Sequence, residues 1–253
     1  MKNETVIVTG GSSGMGLAMA TRFFEQGANV VITGRNEEKL NEAMAGMKEQ
    51  ERILRVVMDV RNPDDVKRMV QVTHDTYGRI DHLVNNAAGN FIQKAEEMSP
   101  NGWKSVIDIV LNGTFYCSHE VANYWIGEKR SGTILNMVAT YAWNAGAGVV
   151  HSASAKAGVL TMTRTLAVEW GRRYGIRVNA IAPGPIERTG GADKLFQSEK
   201  AYQRTLDSVP LGRLGTPEEI AKLASFILSE DAAYMNGEVV TLDGGQWLNQ
   251  FPF

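Results

Sequence analysis

The chain has 253 residues, 43% of them hydrophobic, a formal net charge of −2 and a single cysteine, Cys117. That apolar content can bury a full core in one domain, while the near-neutral charge and the lack of a basic run exclude a typical nucleic-acid binder. One thiol rules out an intramolecular disulfide and a Cys-ligated cluster, which takes about four, and no apolar run approaches the roughly 18 residues of a membrane span. No metal site is expected. The start, MKNETVIVTGG, lacks the apolar core of a signal peptide, so a soluble cytoplasmic protein is the expectation.

In chain order, short β-branched runs at 5–9, 30–33, 53–58, 80–84, 133–137, 177–181 and 238–242 alternate with amphipathic stretches at 15–26, 36–50, 63–77, 102–129, 152–174 and 216–229. The runs show little polar alternation, as strands buried on both faces should. The pattern predicts an α/β fold: one doubly wound, Rossmann-type domain over 1–253, with a seven-stranded, mostly parallel sheet and right-handed crossovers. The least regular stretch, 183–207, is too long for an ordinary connection and marks a lid-like segment at about 187–209.

Ligands in such sheets bind beyond the carboxyl ends of the strands. The first strand is followed by Thr9-Gly10-Gly11-Ser12-Ser13-Gly14-Met15-Gly16 and a helix. Glycines let the backbone approach a phosphate, and the helix start offers N–H groups and a positive dipole end. A dinucleotide is the expectation. Gly10 to Gly14 also spell the G-x-S-x-G of a hydrolase elbow, but no strand precedes this one and His74, His82, His119 and His151 offer no obvious triad partner.

After the second strand, Arg35 stands where a carboxylate would grip the ribose diol of NAD, and could pair with a 2′-phosphate. That favours NADPH, although Glu37 and Glu38 follow closely. Asp59-Val60-Arg61 ends the third strand, with Asp59 placed to accept from the adenine amine. Asn85-Asn86-Ala87-Ala88-Gly89-Asn90-Phe91 ends the fourth, its small residues allowing close passage of a ligand and its asparagines directing hydrogen bonds. The sixth ends in Pro183-Gly184-Pro185-Ile186, a stiff turn suited to a flat carboxamide. On the helix that begins near 152, Lys156 lies one turn after Ser152 and shares its face.

TGGSSGMG, Asp59-Val60, NNAAG, the helix lysine, PGPI and the DGG at 243–245 together resemble the short-chain dehydrogenase/reductase family over nearly the whole chain. Most of its members carry a proton-donating tyrosine four residues before the lysine; here that residue is Ser152, and Ala139 stands in place of the usual serine. SASAK, GNF at 89–91, LNGTF at 112–115 and PGPI are most similar to the 2,4-dienoyl-CoA reductase branch of non-flavin type. The resemblance implies Tyr141, Asn90, Lys156 and Ser152 as the catalytic set. Tyr141 and Asn90 would donate to the dienolate oxygen, Lys156 would hold the nicotinamide ribose, and Asn112 would support Lys156 indirectly. NADPH would lie on Gly10, Gly11, Ser12, Ser13, Gly14, Met15, Gly16, Arg35, Asp59, Val60, Asn86, Ala87, Ala88, Lys156, Pro183, Gly184, Pro185 and Ile186. Arg61, Phe91, Ser99, Tyr141, Ser152 and Lys194 would touch the acyl-CoA.

The implied activity is reduction of 2,4-dienoyl-CoA to enoyl-CoA in unsaturated fatty acid β-oxidation. The alternatives are a carbonyl or β-ketoacyl reductase using Tyr141 as acid, and an inactive NADP(H)-binding sensor. The family also implies a homotetramer built through the long central helices, with Trp125, Trp170 and the aromatic C-terminus as surplus apolar surface.

Overall fold

Five β-branched residues in a row form β1 (Thr5–Thr9), buried at every position. The chain is a computed structural model describing residues 1–47, 49–189 and 198–249. Around β1 lie β2 (Asn29–Gly34), β3 (Ile53–Val57), β4 (His82–Asn85), β5 (Thr133–Met137), β6 (Arg177–Pro183) and β7 (Val239–Leu242). They form one seven-stranded sheet in the order β3-β2-β1-β4-β5-β6-β7. Every pairing is parallel. The order reverses between β1 and β4, so a crevice opens beyond their carboxyl ends. Register Val8↔Val84 brings the glycine loop after β1 beside the asparagine run after β4.

Eight helices cover the sheet among the described residues: α1 (Gly14–Glu25), α2 (Glu37–Ala45), α3 (Pro63–Tyr77), α4 (Pro100–Ile107), α5 (Gly113–Gly127), α6 (Val150–Tyr174), α7 (Glu199–Ser208) and α8 (Pro217–Leu228). Side chains alternate across each strand. Val6 and Val8 pack with Met19 and Phe23 of α1 and with Ile220 and Ile227 of α8. Ile7 faces the other layer, with Met69 of α3, Val121 and Trp125 of α5 and Leu166 of α6. Local signals set several helix ends. Asn62 accepts from the Asp64 amide ahead of Pro63, Gly78 closes α3 at φ 68°, and Thr216 with Glu219 forms a reciprocal capping box on α8.

The structure departs from the sequence expectation in four places. The helix expected over 102–129 is broken into α4 and α5 by a π-helical turn at Asp108–Asn112. Gly113 starts α5 hard against Val60, whose Cγ2 would lie 2.7 Å from any Cβ there. The helix expected over 36–50 stops at Ala45, before Gly46, and Met47 turns into the core. The irregular stretch contains helix α7. Trp125 supplies no surface for assembly: it is fully buried within this chain, its indole N–H donating to the Ile80 carbonyl at 2.7 Å. The reason is that α5 turns that residue toward the sheet, where the ring meets Gly132 at a distance only glycine allows. Of the aromatic C-terminus, residues 250–253 lie outside the described residues. Among the described residues no helix is long and apolar enough to cross a membrane.

Candidate active site

The glycine loop is held open by its own backbone. Gly10 and Gly14 adopt φ of 64° and 52°, which favours residues without a Cβ. A Cβ on Gly16 would fall 2.2 Å from the Gly10 carbonyl oxygen and 2.5 Å from Asn86 Nδ2. Helix α1 then starts with no acidic residue in its first turn. Its leading N–H groups and dipole therefore face the crevice without a competing negative charge. This cradle fits a dinucleotide pyrophosphate.

Asn86 and Thr9 fix the loop from below. The Thr9 hydroxyl accepts from the amides of Asn86 and Ala87, both at 3.0 Å. The Asn86 side chain donates to the Thr9 and Gly10 carbonyls at 3.0 and 3.1 Å. Asn86 thus acts as a brace within the protein, and Thr9 is a partner that the motif reading passed over. The elbow reading of Ser12 finds no support: His74 pairs with Tyr124, His82 faces Glu4, His119 meets Asn123, and His151 lies against Phe91.

At the end of β2, Arg35 is exposed, and Glu37 beside it is drawn away by Arg55 at 2.8 Å. A 2′-phosphate could therefore reach Arg35 with one neighbouring carboxylate already neutralised. After β3, Asp59 and Arg61 find each other: Arg61 Nη2 is 2.5 Å from Asp59 Oδ2. The guanidinium holds the Asp59 carboxyl below the usual carboxylate range, while burial opposes it. Engaging adenine with Asp59 and acyl-CoA phosphates with Arg61 would require sharing or opening this pair. Asn112 donates to Asp108 at 2.9 Å from within the π-helical turn.

Tyr141 sits on a short turn, Thr140–Ala142, directly after β5 and ahead of α6. Its hydroxyl is 3.1 Å from Ser152 Oγ in the first turn of α6. Burial pushes the phenol up from its ordinary value, and the bond to Ser152 pulls the other way. One turn further along, the buried Lys156 ammonium donates to the Met137 carbonyl at the end of β5. Burial pushes its pKa down to about 8. Tyr141, Ser152 and Lys156 thus form one continuous wall.

The segment bearing Asn90 is brought to that wall. Gln93 N–H donates to the Gly148 carbonyl at 2.9 Å, and the Phe91 and His151 rings lie 4.4 Å apart. Asn90 Oδ1 accepts from the Phe91 amide at 2.9 Å, which fixes the carboxamide's oxygen end toward its own backbone. Phe91 also approaches Gly102, next to Ser99, whose hydroxyl caps α4 by accepting from the Gly102 amide at 3.0 Å. His151 is fully buried, and neither ring nitrogen has a hydrogen-bond partner among the described residues. Burial lowers its pKa. No local signal singles it out, because a histidine one residue before Ser152 has no meaning until Phe91 is seen against it.

Gly184 completes the cofactor crevice. Its amide donates to the Leu242 carbonyl at 3.0 Å, and a Cβ would lie 2.5 Å from that of Asp243. Ile186 pairs with Gly215, and Arg188–Thr189 pass close to Gly14. The chain after β6 therefore passes directly over the glycine loop. Lys194 and the rest of 190–197 lie outside the described residues. Cys117 takes no part: burial pushes its thiol up to about 12.

A family model described as enoyl-(acyl carrier protein) reductase matches residues 10–246. A probable 2,4-dienoyl-CoA reductase, (2E)-enoyl-CoA-producing, from Bacillus subtilis (strain 168) is 62% identical, covering 100% of both chains. A peroxisomal 2,4-dienoyl-CoA reductase, (3E)-enoyl-CoA-producing, from Arabidopsis thaliana is 36% identical over 99% of this chain and 86% of its own. The crystal structure of a short chain dehydrogenase from Bacillus anthracis str. 'Ames Ancestor' superposes with a TM-score of 0.95 at 63% identity, covering 99% of each chain.

Proposed function

Because the chain belongs to the short-chain dehydrogenase/reductase family and is an oxidoreductase of it, we propose that it reduces 2,4-dienoyl-CoA thioesters to enoyl-CoA with NADPH, in the β-oxidation of unsaturated fatty acids. Relatives named for that reaction on both sides of the bacterial–eukaryotic divide support the substrate class. The observation that carries the residue assignment is the 3.1 Å contact between Tyr141 and Ser152. It puts a phenol beside the position where the family resemblance expects one, although that phenol comes from a different segment of the chain.

When bound, NADPH supplies the hydride to the far end of the diene. The work of the protein is to meet the charge that then gathers on the thioester oxygen, until a proton from water adds to carbon and leaves the neutral enoyl-CoA. Tyr141 O–H and the Asn90 amide N–H donate to that oxygen, and such donors are worth about 3 kcal/mol each in the transition state. Ser152 orients the Tyr141 hydroxyl; as an aliphatic alcohol it is too weak an acid to replace it. Lys156, with a pKa of about 8, still carries its proton at neutral pH. It gives the ribose hydroxyls a donor and keeps positive charge near the developing anion. Arg35 selects the 2′-phosphate. Phe91, Ser99 and Arg61, with Lys194, accommodate the acyl-CoA. The long helices leave Val168 and Phe115 exposed, at 81% and 43%, which supports a homotetramer assembled through them. A cytoplasmic location belongs to the same reading.

The test is steady-state NADPH oxidation with a 2,4-dienoyl-CoA beside a β-ketoacyl-CoA. Turnover of the dienoyl thioester alone is the expected result. Preference for the ketone would make the protein a carbonyl reductase, and tight NADPH binding without turnover of either would make it a sensor.

A further inference from the structure

The turn after β7 touches the cofactor turn, helix α7 and the Tyr141 turn. The Asp243 carboxylate accepts from the Gly245 amide at 2.9 Å and from the Trp247 amide at 2.8 Å, with Gly244 and Gly245 at φ of 65° and 86°. Asp243 lies against Gly184 of the cofactor turn. Gln246 and Asn249 donate to the hydroxyl and the carbonyl of Ser208, the last residue of α7, at 2.8 and 3.1 Å. The Trp247 ring meets Trp143 edge-on, with centroids 6.1 Å apart at 88°. Trp143 is the second residue after Tyr141 and folds back on the same turn, its amide donating to the Thr140 carbonyl. The loop beyond it, 144–147, is exposed and brings no core packing of its own.

We propose that Trp247 is a positioning residue: through its edge-on contact with Trp143 it clamps the Tyr141 turn to the C-terminal turn, and so to helix α7, setting the position of the hydroxyl donor. The role of the hydroxyl rests on the proposed dienoyl-CoA reduction; the clamp itself does not. An aromatic contact of this kind fits the task. It is directional, because the ring edge of one indole meets the face of the other, and at a half-exposed site it can open and re-form as an acyl chain enters. A shift of the Tyr141 turn by an ångström is enough to spoil a donor aimed at a developing charge.

The experiment measures two things on Trp247→Ala, Trp143→Ala, the double variant and Trp247→Phe. The first is the spectrophotometric titration of Tyr141 in the resting protein, read as the difference from the same variant carrying Tyr141→Phe. With the clamp intact the phenol ionises above its ordinary value, because it is buried. With the clamp open it should move back toward that value. The second is kcat with a 2,4-dienoyl-CoA, expected to fall about tenfold or more in either alanine variant with NADPH affinity unchanged. The double variant should be no worse than either single, since both break one contact, and Trp247→Phe should restore most of the rate. Should Trp247→Ala fail to fold, Trp143→Ala carries the test, because its side chain is 38% exposed on a loop. An unshifted titration in the alanine variants overturns the clamp, whatever happens to the rate. A shifted titration in a protein that reduces no dienoyl-CoA upholds the clamp and overturns the functional reading instead.

Discussion

The half of the crevice that would hold the cofactor and the half that would hold the acyl-CoA are built differently. On the cofactor side, polar groups are spent on one another. Thr9 and Asn86 share four hydrogen bonds with the loop and its neighbour strand, and the glycine backbone does the rest. On the acyl side, polar groups are held in reserve. Neither ring nitrogen of His151 has a hydrogen-bond partner among the described residues, and Tyr141 meets Ser152 from a loop. A site that must bind one constant ligand can be fixed by its own backbone. A site that must stabilise charge only while it develops needs donors that are aimed but not used up.

The comparison breaks most sharply at Tyr141. Tyr141→Phe keeps the ring and removes only the donor, so kcat should fall about a hundredfold or more while NADPH binding holds. A near wild-type rate would remove Tyr141 from the chemistry and leave the acyl side without its principal donor.

Lys156, where the two halves meet, tests whether the site holds its groups at a cost to stability. Its pKa is lowered from 10.5 to about 8 by burial, so the folded state disfavours the proton that the unfolded state keeps. At about 1.4 kcal/mol per unit the penalty exceeds about 3 kcal/mol, offset by roughly 1 kcal/mol for the hydrogen bond to Met137. It weighs fully below pH 8 and fades as the pH rises toward 10.5. In the cofactor-free protein, Lys156→Met should therefore be more stable by about 2 kcal/mol at pH 7 while losing activity, and the advantage should shrink by pH 10. Denaturant unfolding at the two pH values measures this. A variant less stable than wild type at pH 7 contradicts it.

On the cofactor side, Gly16→Ala drives a methyl group into the Gly10 carbonyl. Overpacking of this kind costs about 1–3 kcal/mol of folding stability, and the displaced loop should bind NADPH more weakly, with kcat preserved at saturation. Fluorescence titration and saturation kinetics together separate the two. If kcat falls and the dissociation constant holds, the two halves are not separate in the way described.

The smallest effect is expected at Arg35, where the cofactor side would read a single phosphate. Losing one charge-assisted pair amounts to roughly a tenfold change. Arg35→Asp should cut the preference for NADPH over NADH by about that factor or reverse it. Equal dissociation constants for the two cofactors in the wild type would remove Arg35 from the selection.

Much of the fold was legible because its signals are local. β-branched runs and amphipathic spacing act within a few residues, and they placed every strand and most of the helices. The phosphate loop was legible for the same reason. By its own residues the sequence determined a parallel α/β domain with a dinucleotide cradle after the first strand, and it put Ser152 and Lys156 on one helix face. Only the tertiary structure decided what those residues meet. It closed the loop that brings Tyr141 to Ser152, buried Lys156 on the Met137 carbonyl, set Phe91 against His151, and paired Trp143 with Trp247 across the crevice. It also buried Trp125, where composition suggested an outer face. These contacts join residues from 11 to more than 100 positions apart, and no local propensity encodes them. They depend on which face each element turns to the sheet, and that is fixed only when the whole core packs.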